Sequence, residues 1–116
     1  MYHARAIAFD RGYSGLFMTS EFVLIELGNW LADPLTRPLF VELNRLLRTD
    51  PRTTIHPASA DWFSKGLVLY AERPDKGWSI TDCITFEMMR EEGLIDALTA
   101  DHHFTQAGFN AILADS

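Results

Sequence analysis

Leu16-Phe17-Met18-Thr19-Ser20-Glu21-Phe22-Val23-Leu24-Ile25-Glu26-Leu27-Gly28-Asn29-Trp30-Leu31 is the stretch whose reading decides the fold. Its first three residues form a short apolar run of strand type. Thr19 or Ser20 then supplies a helix N-cap, and Glu21 stands where a negative charge meets the positive end of a helix. From Phe22 to Leu31 the apolar positions suit a buried helix, which Asp33-Pro34 stops. A strand feeding directly into a helix is half of a βα unit.

The alternation continues on both sides. Downstream, Pro38 opens a helix whose stripe is Phe40, Leu43, Leu46 and Leu47, ending at Asp50-Pro51. Thr53-Thr54-Ile55 is β-branched and bounded by prolines, so it reads as a short strand. Ser59 or Asp61 opens a helix to about Ala71, and the segment from Glu72 to Trp78, with Pro74 and Gly77, is a loop. Ser79 caps a helix from Ile80 to Glu92, with Asp82 three residues beyond it forming an N-terminal box and Gly93 as C-cap. Asp96 to Thr99 is a strand ended by Asp101, His103 to Gly108 a helical turn, and Asn110 to Leu113 a last strand. Upstream, residues 2–11 read as a helix with Tyr2, Ala6 and Phe9 near one face, broken by Gly12 and Ser14-Gly15.

Short strands alternating with longer helices imply an α/β fold: three layers, α/β/α, around a mostly parallel sheet. Residues 1–116 suffice for a single domain with one core. In such sheets ligands bind at the carboxyl ends of the strands, which is where Thr19 and Asp101 fall.

Composition narrows the function classes. Apolar residues make up 47% and charged residues 22% of the chain, the balance of a globular protein. No apolar run approaches the ~20 residues needed to span a bilayer, and the N-terminus lacks a signal-peptide core. Cys83 is the sole cysteine, so no intrachain disulfide can form; a cytoplasmic protein without a membrane partner is the expectation. The net charge of −6 does not favour nucleic acid through bulk electrostatics, so an RNA substrate requires a local basic patch or a bound cation. Arg11, Arg37, Arg45, Arg48 and Arg52 are the candidates for such a patch. Arg45 and Arg48 share a helix face, for which a solvated surface is the preferred reading.

Three carboxylates stand out. Glu26 lies among apolar positions of its helix, Asp82 in the first turn of another, and Asp101 directly after a strand. Singly, each has a plain account: a helix edge, a helix-capping acid, an Asx turn. Together at one sheet edge they would hold a hard cation such as Mg²⁺ or Mn²⁺, which activates water and clamps a phosphodiester.

Their flanks carry a resemblance. Thr19-Ser20-Glu21-Phe22-Val23-Leu24-Ile25-Glu26, Asp75-Lys76-Gly77-Trp78-Ser79-Ile80-Thr81-Asp82, and Leu98-Thr99-Ala100-Asp101-His102-His103-Phe104 with Gln106-Ala107-Gly108-Phe109 resemble, in order, the three motifs of PIN-domain nucleases of the VapC-like toxin group. The resemblance implies a divalent-metal-dependent endoribonuclease of a toxin–antitoxin system. Glu26, Asp82 and Asp101 would be its catalytic, Mg²⁺- or Mn²⁺-binding residues, with Thr19, Ser79 and Thr81 near the substrate. It further implies RNA as substrate, a cognate antitoxin whose C-terminal segment crosses the active-site groove, and a homodimer.

The chain also departs from the pattern. Family members begin with a central strand ending in Asp-Thr or Asp-Ser, whereas Tyr2-His3-Ala4-Arg5-Ala6 resembles the helix after it. The domain is therefore expected to be N-terminally incomplete, with a gap in its sheet, unpaired strand edges and a weakened metal site. Asp10 does not fit the missing role. The alternative function is a catalytically impaired PIN domain that dimerises or binds antitoxin. His102 and His103 could ligate metal or shuttle protons, although a structural role at a helix start is preferred for His103. Cys83 reads as core. Trp30 and Trp62 also read as core, and Trp78 as a loop residue able to touch substrate or antitoxin.

Overall fold

The computed structural model describes residues 7–9, 16–99 and 101–113. Along them run β1 (Ile7–Phe9), β2 (Phe17–Ser20), α1 (Glu21–Trp30), α2 (Arg37–Thr49), β3 (Thr53–His56), α3 (Ala60–Glu72), α4 (Ile80–Glu92), β4 (Asp96–Leu98), α5 (His102–Gln106) and β5 (Asn110–Ala111). The strands form one sheet in the order β3-β2-β1-β4-β5. β2 is parallel to β3 and β4 to β5, while β1 is antiparallel to both its neighbours. Four strands thus share one direction, as a mostly parallel sheet requires, and β1 alone is reversed.

β1 corrects two expectations. Ile7–Phe9 belongs to the segment read as helix, and it fills the central position where a gap was expected. A vacant centre would leave the facing edges of β2 and β4 without partners, and buried unpaired backbone groups are costly. Ala8 pairs with Met18 on one side and Ala97 on the other, and Phe9 with Phe17 and Asp96. Satisfying two strand edges outweighs the weak helical preference of three residues. The rest of the 2–11 segment, including Asp10 and Arg11, lies outside the described residues.

Parallel crossovers are right-handed. The step from β2 to β3 moves outward and that from β3 to β4 returns across the sheet, so α1 and α2 cover one face and α3 and α4 the other. α4 forms the centre of the core, with Cys83, Ile84, Phe86, Met88 and Met89 buried. Phe86 meets the rings of Trp78, Phe104 and Phe109 at centroid distances of 5.1, 4.7 and 5.6 Å. α3 lies against α4 at Gly66, where a Cβ would sit 2.3 Å from Ile84 Cγ1 and 3.0 Å from its backbone nitrogen.

α4 is bounded as its sequence indicates. The Ser79 side chain accepts from Asp82 N–H, the Asp82 carboxylate accepts from Ser79 N–H, and Gly93 closes the helix at φ 70°. The α2 stripe is covered less well than its pattern suggests: no residue of the helix is fully buried, and Leu46 is exposed. The tryptophans also reverse their expected places. Trp30, at the last position of α1, is 53% exposed, whereas Trp78 is 4% exposed beneath α4; Trp62 is half-buried. Among the described residues no helix is long and apolar enough to cross a membrane.

Candidate active site

Asp82 is held by its own helix. As the third residue of α4 it takes part in the N-terminal box, its Oδ2 accepting from Ser79 N–H at 3.1 Å while its own N–H donates to Ser79 Oγ at 3.0 Å. The side chain is only 13% exposed. Burial pushes its carboxyl above the usual carboxylate range, and the nearby charge of Asp101 adds to the rise; the Ser79 N–H and His103 oppose it.

Asp101 approaches from the other side. It follows β4 and caps α5, its Oδ1 accepting from His103 N–H at 2.9 Å, and its N–H donates to Thr99 Oγ1 at 3.1 Å. The His103 ring lies between the two carboxylates: Nδ1 is 3.5 Å from Asp82 Oδ2 and 3.4 Å from Asp101 Oδ1. Neither approach meets hydrogen-bond geometry, so this buried nitrogen has no hydrogen-bond partner. Trp78 holds the two halves together. Its Nε1 donates to Gln106 Oε1 at 3.1 Å, joining the loop before Asp82 to the helix after Asp101.

No family model matches the sequence, and no curated protein matches it. A search of solved structures does find a match, the sarcin–ricin-loop-cleaving toxin VapC20 of Mycobacterium tuberculosis, with a TM-score of 0.72 and 24% identity over 82% of this chain and 72% of that one. The chain has the fold of a VapC toxin. At that identity the likeness shows the fold alone.

Within the VapC-like fold the other expected residues separate. Glu26 is half-buried on α1, and the donor atoms that gather within 4.8 Å of one another are those of Asp101, His102 and His103 instead. The reversed β1 places Phe9 beside Phe17 and Asp96, the first residues of β2 and β4, so its carboxyl end lies at the sheet edge opposite the one at which Asp101 follows β4. Thr19 lies inside β2 rather than after it; it is 3% exposed and its hydroxyl has no hydrogen-bond partner. The Ser79 hydroxyl is taken up by the helix cap. Thr81, partly exposed next to Asp82, is left as the best placed of the three to meet a ligand.

Of the arginines, Arg45 pairs with Glu42 and Arg48 with Glu21, in keeping with a solvated surface. Cys83 is buried, and burial pushes its thiol up to about 11, which suits a core residue and not a nucleophile. Trp78 is core and a brace, not a loop contact. His103 is the residue whose surroundings the sequence did not show. The Asp-His-His run was visible, but only the packing of α5 against the start of α4 turns its ring toward Asp82.

The donors of Asp101, His102 and His103 that gather within 4.8 Å are of the kind that hold a divalent cation, and Asp82 Oδ2 stands beside them, 3.5 Å from His103 Nδ1. Two recessed carboxylates supply negative charge, and burial, with the charge of Asp101 adding to it, holds the Asp82 carboxyl above its usual range, a cost that a cation relieves.

Proposed function

We propose that this chain is a divalent-metal-dependent endoribonuclease of a toxin–antitoxin system, hydrolysing RNA phosphodiesters. The observation that carries the reading is the convergence of Asp82 and Asp101 on one imidazole, within a fold shared with an RNA-cleaving toxin. Asp82 and Asp101 hold Mg²⁺ or Mn²⁺. When bound, the ion lowers the pKa of water and offsets charge on the phosphate. Glu26 stands outside the tight cluster and serves as a third carboxylate acting through ordered water, which Mg²⁺ in particular tends to keep. Thr81 lies beside Asp82 to contact the phosphate backbone. The Ser79 cap and the Trp78 brace fix where Asp82 stands.

The same reading takes an antitoxin segment and a second copy of the chain as partners, in the cytoplasm. Supporting the first is a groove of about 610 Å³ between α1 and α2, lined by Leu24, Ile25, Phe40 and Val41 with Arg37 and Arg48. Supporting the second are Phe63, Leu67 and Tyr70, exposed at helical spacing along α3. One observation favours a second reading, a catalytically impaired domain that binds antitoxin or dimerises: the central strand β1 runs antiparallel to its neighbours, so its carboxyl end lies at the sheet edge opposite Asp101.

Cleavage of a mixed RNA pool decides between them, using the wild type, Asp82→Asn and Asp101→Asn in Mn²⁺, Mg²⁺ and chelator. The nuclease reading expects metal-dependent cleavage by the wild type that both variants lose. Wild-type protein inert in both ions, or cleavage that survives Asp82→Asn, would favour the binding-module reading.

A further inference from the structure

A polyanionic substrate meets two recessed carboxylates in a chain of net charge −6, so its phosphates need a cation at the rim of the site. The segment entering α4 supplies one. Arg73 caps the end of α3, and Lys76 N–H donates to Arg73 O in the turn that follows. Past Lys76, the Trp78 indole ties the segment to Gln106. Gly77, directly after Lys76, lies against the imidazole that faces Asp82 and Asp101: a Cβ on Gly77 would stand 3.8 Å from His103 Nε2. Lys76 is thereby anchored beside the site.

The other cations of the described residues are engaged or lie elsewhere. Arg45, Arg48, Lys65 and Arg90 each pair with a carboxylate. Arg37 Nε donates to Ala32 O in the α1–α2 connection. Arg52 borders the opposite sheet edge, its carbonyl accepting from Phe17 N–H at the start of β2. Arg73 is the nearest alternative, and its guanidinium is held. It donates to both Asp75 oxygens at 3.1 Å and stands over the Trp78 ring, 5.3 Å from the centroid. That clasp takes up Asp75, whose carboxyl it holds below the usual range. Lys76 has no carboxylate ion pair among the described residues, so its ammonium is left for a ligand.

We propose that Lys76 binds the RNA phosphate backbone at the rim of the site, next to the phosphodiester presented to Asp82 and Asp101. The proposal rests on the ribonuclease reading above and adds a residue that holds its substrate. An ammonium on a flexible stem is a point charge that fits many phosphate geometries, so the contact positions the strand without reading its bases. The Arg73–Asp75 clasp shapes the segment and keeps Asp75 from neutralising that charge.

The test is the salt dependence of RNA binding by the full chain, followed by fluorescence anisotropy of labelled single-stranded RNA in chelator, where metal-dependent cleavage is off. Each phosphate contact on a single strand contributes about 0.7 to the slope of log affinity against log salt. Lys76→Gln should weaken binding severalfold and flatten that slope by about 0.7, alike for RNAs of different sequence. Lys76→Arg should keep the wild-type slope. Lys65→Gln removes the same charge beside Glu91, at the other end of α4 from Asp82, and should leave the slope unchanged. A slope unchanged in Lys76→Gln, flattened as much by Lys65→Gln, or lost in Lys76→Arg overturns the contact and leaves the ribonuclease reading intact. Wild-type protein that binds no RNA overturns both. Cleavage of the same RNA in Mn²⁺ separates the two: Lys76→Gln should raise KM more than it lowers kcat, whereas a flattened slope in a wild type that never cleaves upholds the contact and defeats the nuclease reading alone.

Discussion

Trp78 Nε1 donates a 3.1 Å hydrogen bond to Gln106 Oε1, and through it the loop entering α4 is fixed to the helix that follows Asp101. The indole also stands edge-on to Phe86, 5.1 Å between centroids. The separation of Asp82 from Asp101 therefore depends on a side chain that belongs to neither element's regular structure.

Replacing Trp78 tests that dependence. Trp78→Ala removes a large buried ring and should cost about 3–5 kcal/mol. Gln106→Leu leaves the indole N–H without its acceptor and should cost about 1–3 kcal/mol. Urea unfolding measures both. If the brace also sets the site, Gln106→Leu weakens Mn²⁺ binding at temperatures where the protein remains folded; unchanged affinity would confine the pair to stability.

Gly66 governs how closely α3 approaches the helix bearing Asp82. A methyl group there meets Ile84 Cγ1 at 2.3 Å. Gly66→Ala should destabilise by about 1–3 kcal/mol through overpacking. The cost should shrink in an Ile84→Ala background, since the nearest clashing atom is gone. A double-mutant cycle showing strict additivity would refute the contact as the cause.

The pH dependence of Asp82→Asn has a defined sign. The folded-state pKa of Asp82 is raised, so the native state binds its proton more readily than the unfolded chain. The group's contribution to stability is therefore present at low pH and lost as pH rises through the folded value. Metal-free Asp82→Asn should melt higher than wild type at neutral pH, with the gap closing as pH falls toward the ordinary carboxylate range. Mn²⁺ should raise the melting temperature of the wild type and not of the variant. A gap that widens on acidification would contradict the burial of this charge.

Glu21 gives the opposite profile. Its Oε1 accepts from Ala58 N–H at 2.8 Å and its Oε2 from Arg48 Nη2 at 2.9 Å, linking the start of α1 to the β3–α3 loop and the end of α2. The Ala58 N–H, with Arg48 second, holds its pKa below the usual value. That stability is present above the unfolded-state pKa and fades as pH falls through the folded one. Glu21→Gln should be less stable than wild type at neutral pH and indistinguishable from it in acid. Thermal melts across pH compare the two, and a pH-independent difference would remove the charge from the explanation.

Ser79 separates capping from substrate contact. Ser79→Ala removes the oxygen that accepts from Asp82 N–H and should cost about 0.5–2 kcal/mol, most of which Ser79→Asn recovers. Failure of Asn to recover stability would show that the hydroxyl does something other than cap.

What could be read in advance was local. Ser59, Ser79 and Gly93 mark the ends of α3 and α4 because a side-chain oxygen or a left-handed glycine satisfies the backbone groups of the nearest turn, and those partners lie within three or four residues. Asp82 and Asp101 were legible for the same reason: one sits in a helix box and the other caps the helix after a strand. Glu26 shows the limit, since helical spacing places it on a face but says nothing of its distance from Asp82. Trp30 and Trp78 exchanged their expected burial because hydrophobicity alone does not tell which ring packs beneath a neighbouring helix. The sequence by itself determined the order of strands and helices from β2 onward, most of their caps and the acidic residues Asp82 and Asp101 at helix starts. Only the tertiary structure decided that Ile7–Phe9 would be a reversed central strand, and that His103 would face both carboxylates. Those outcomes depend on unpaired strand edges and packed side chains far apart in the chain, whose energies no local pattern records.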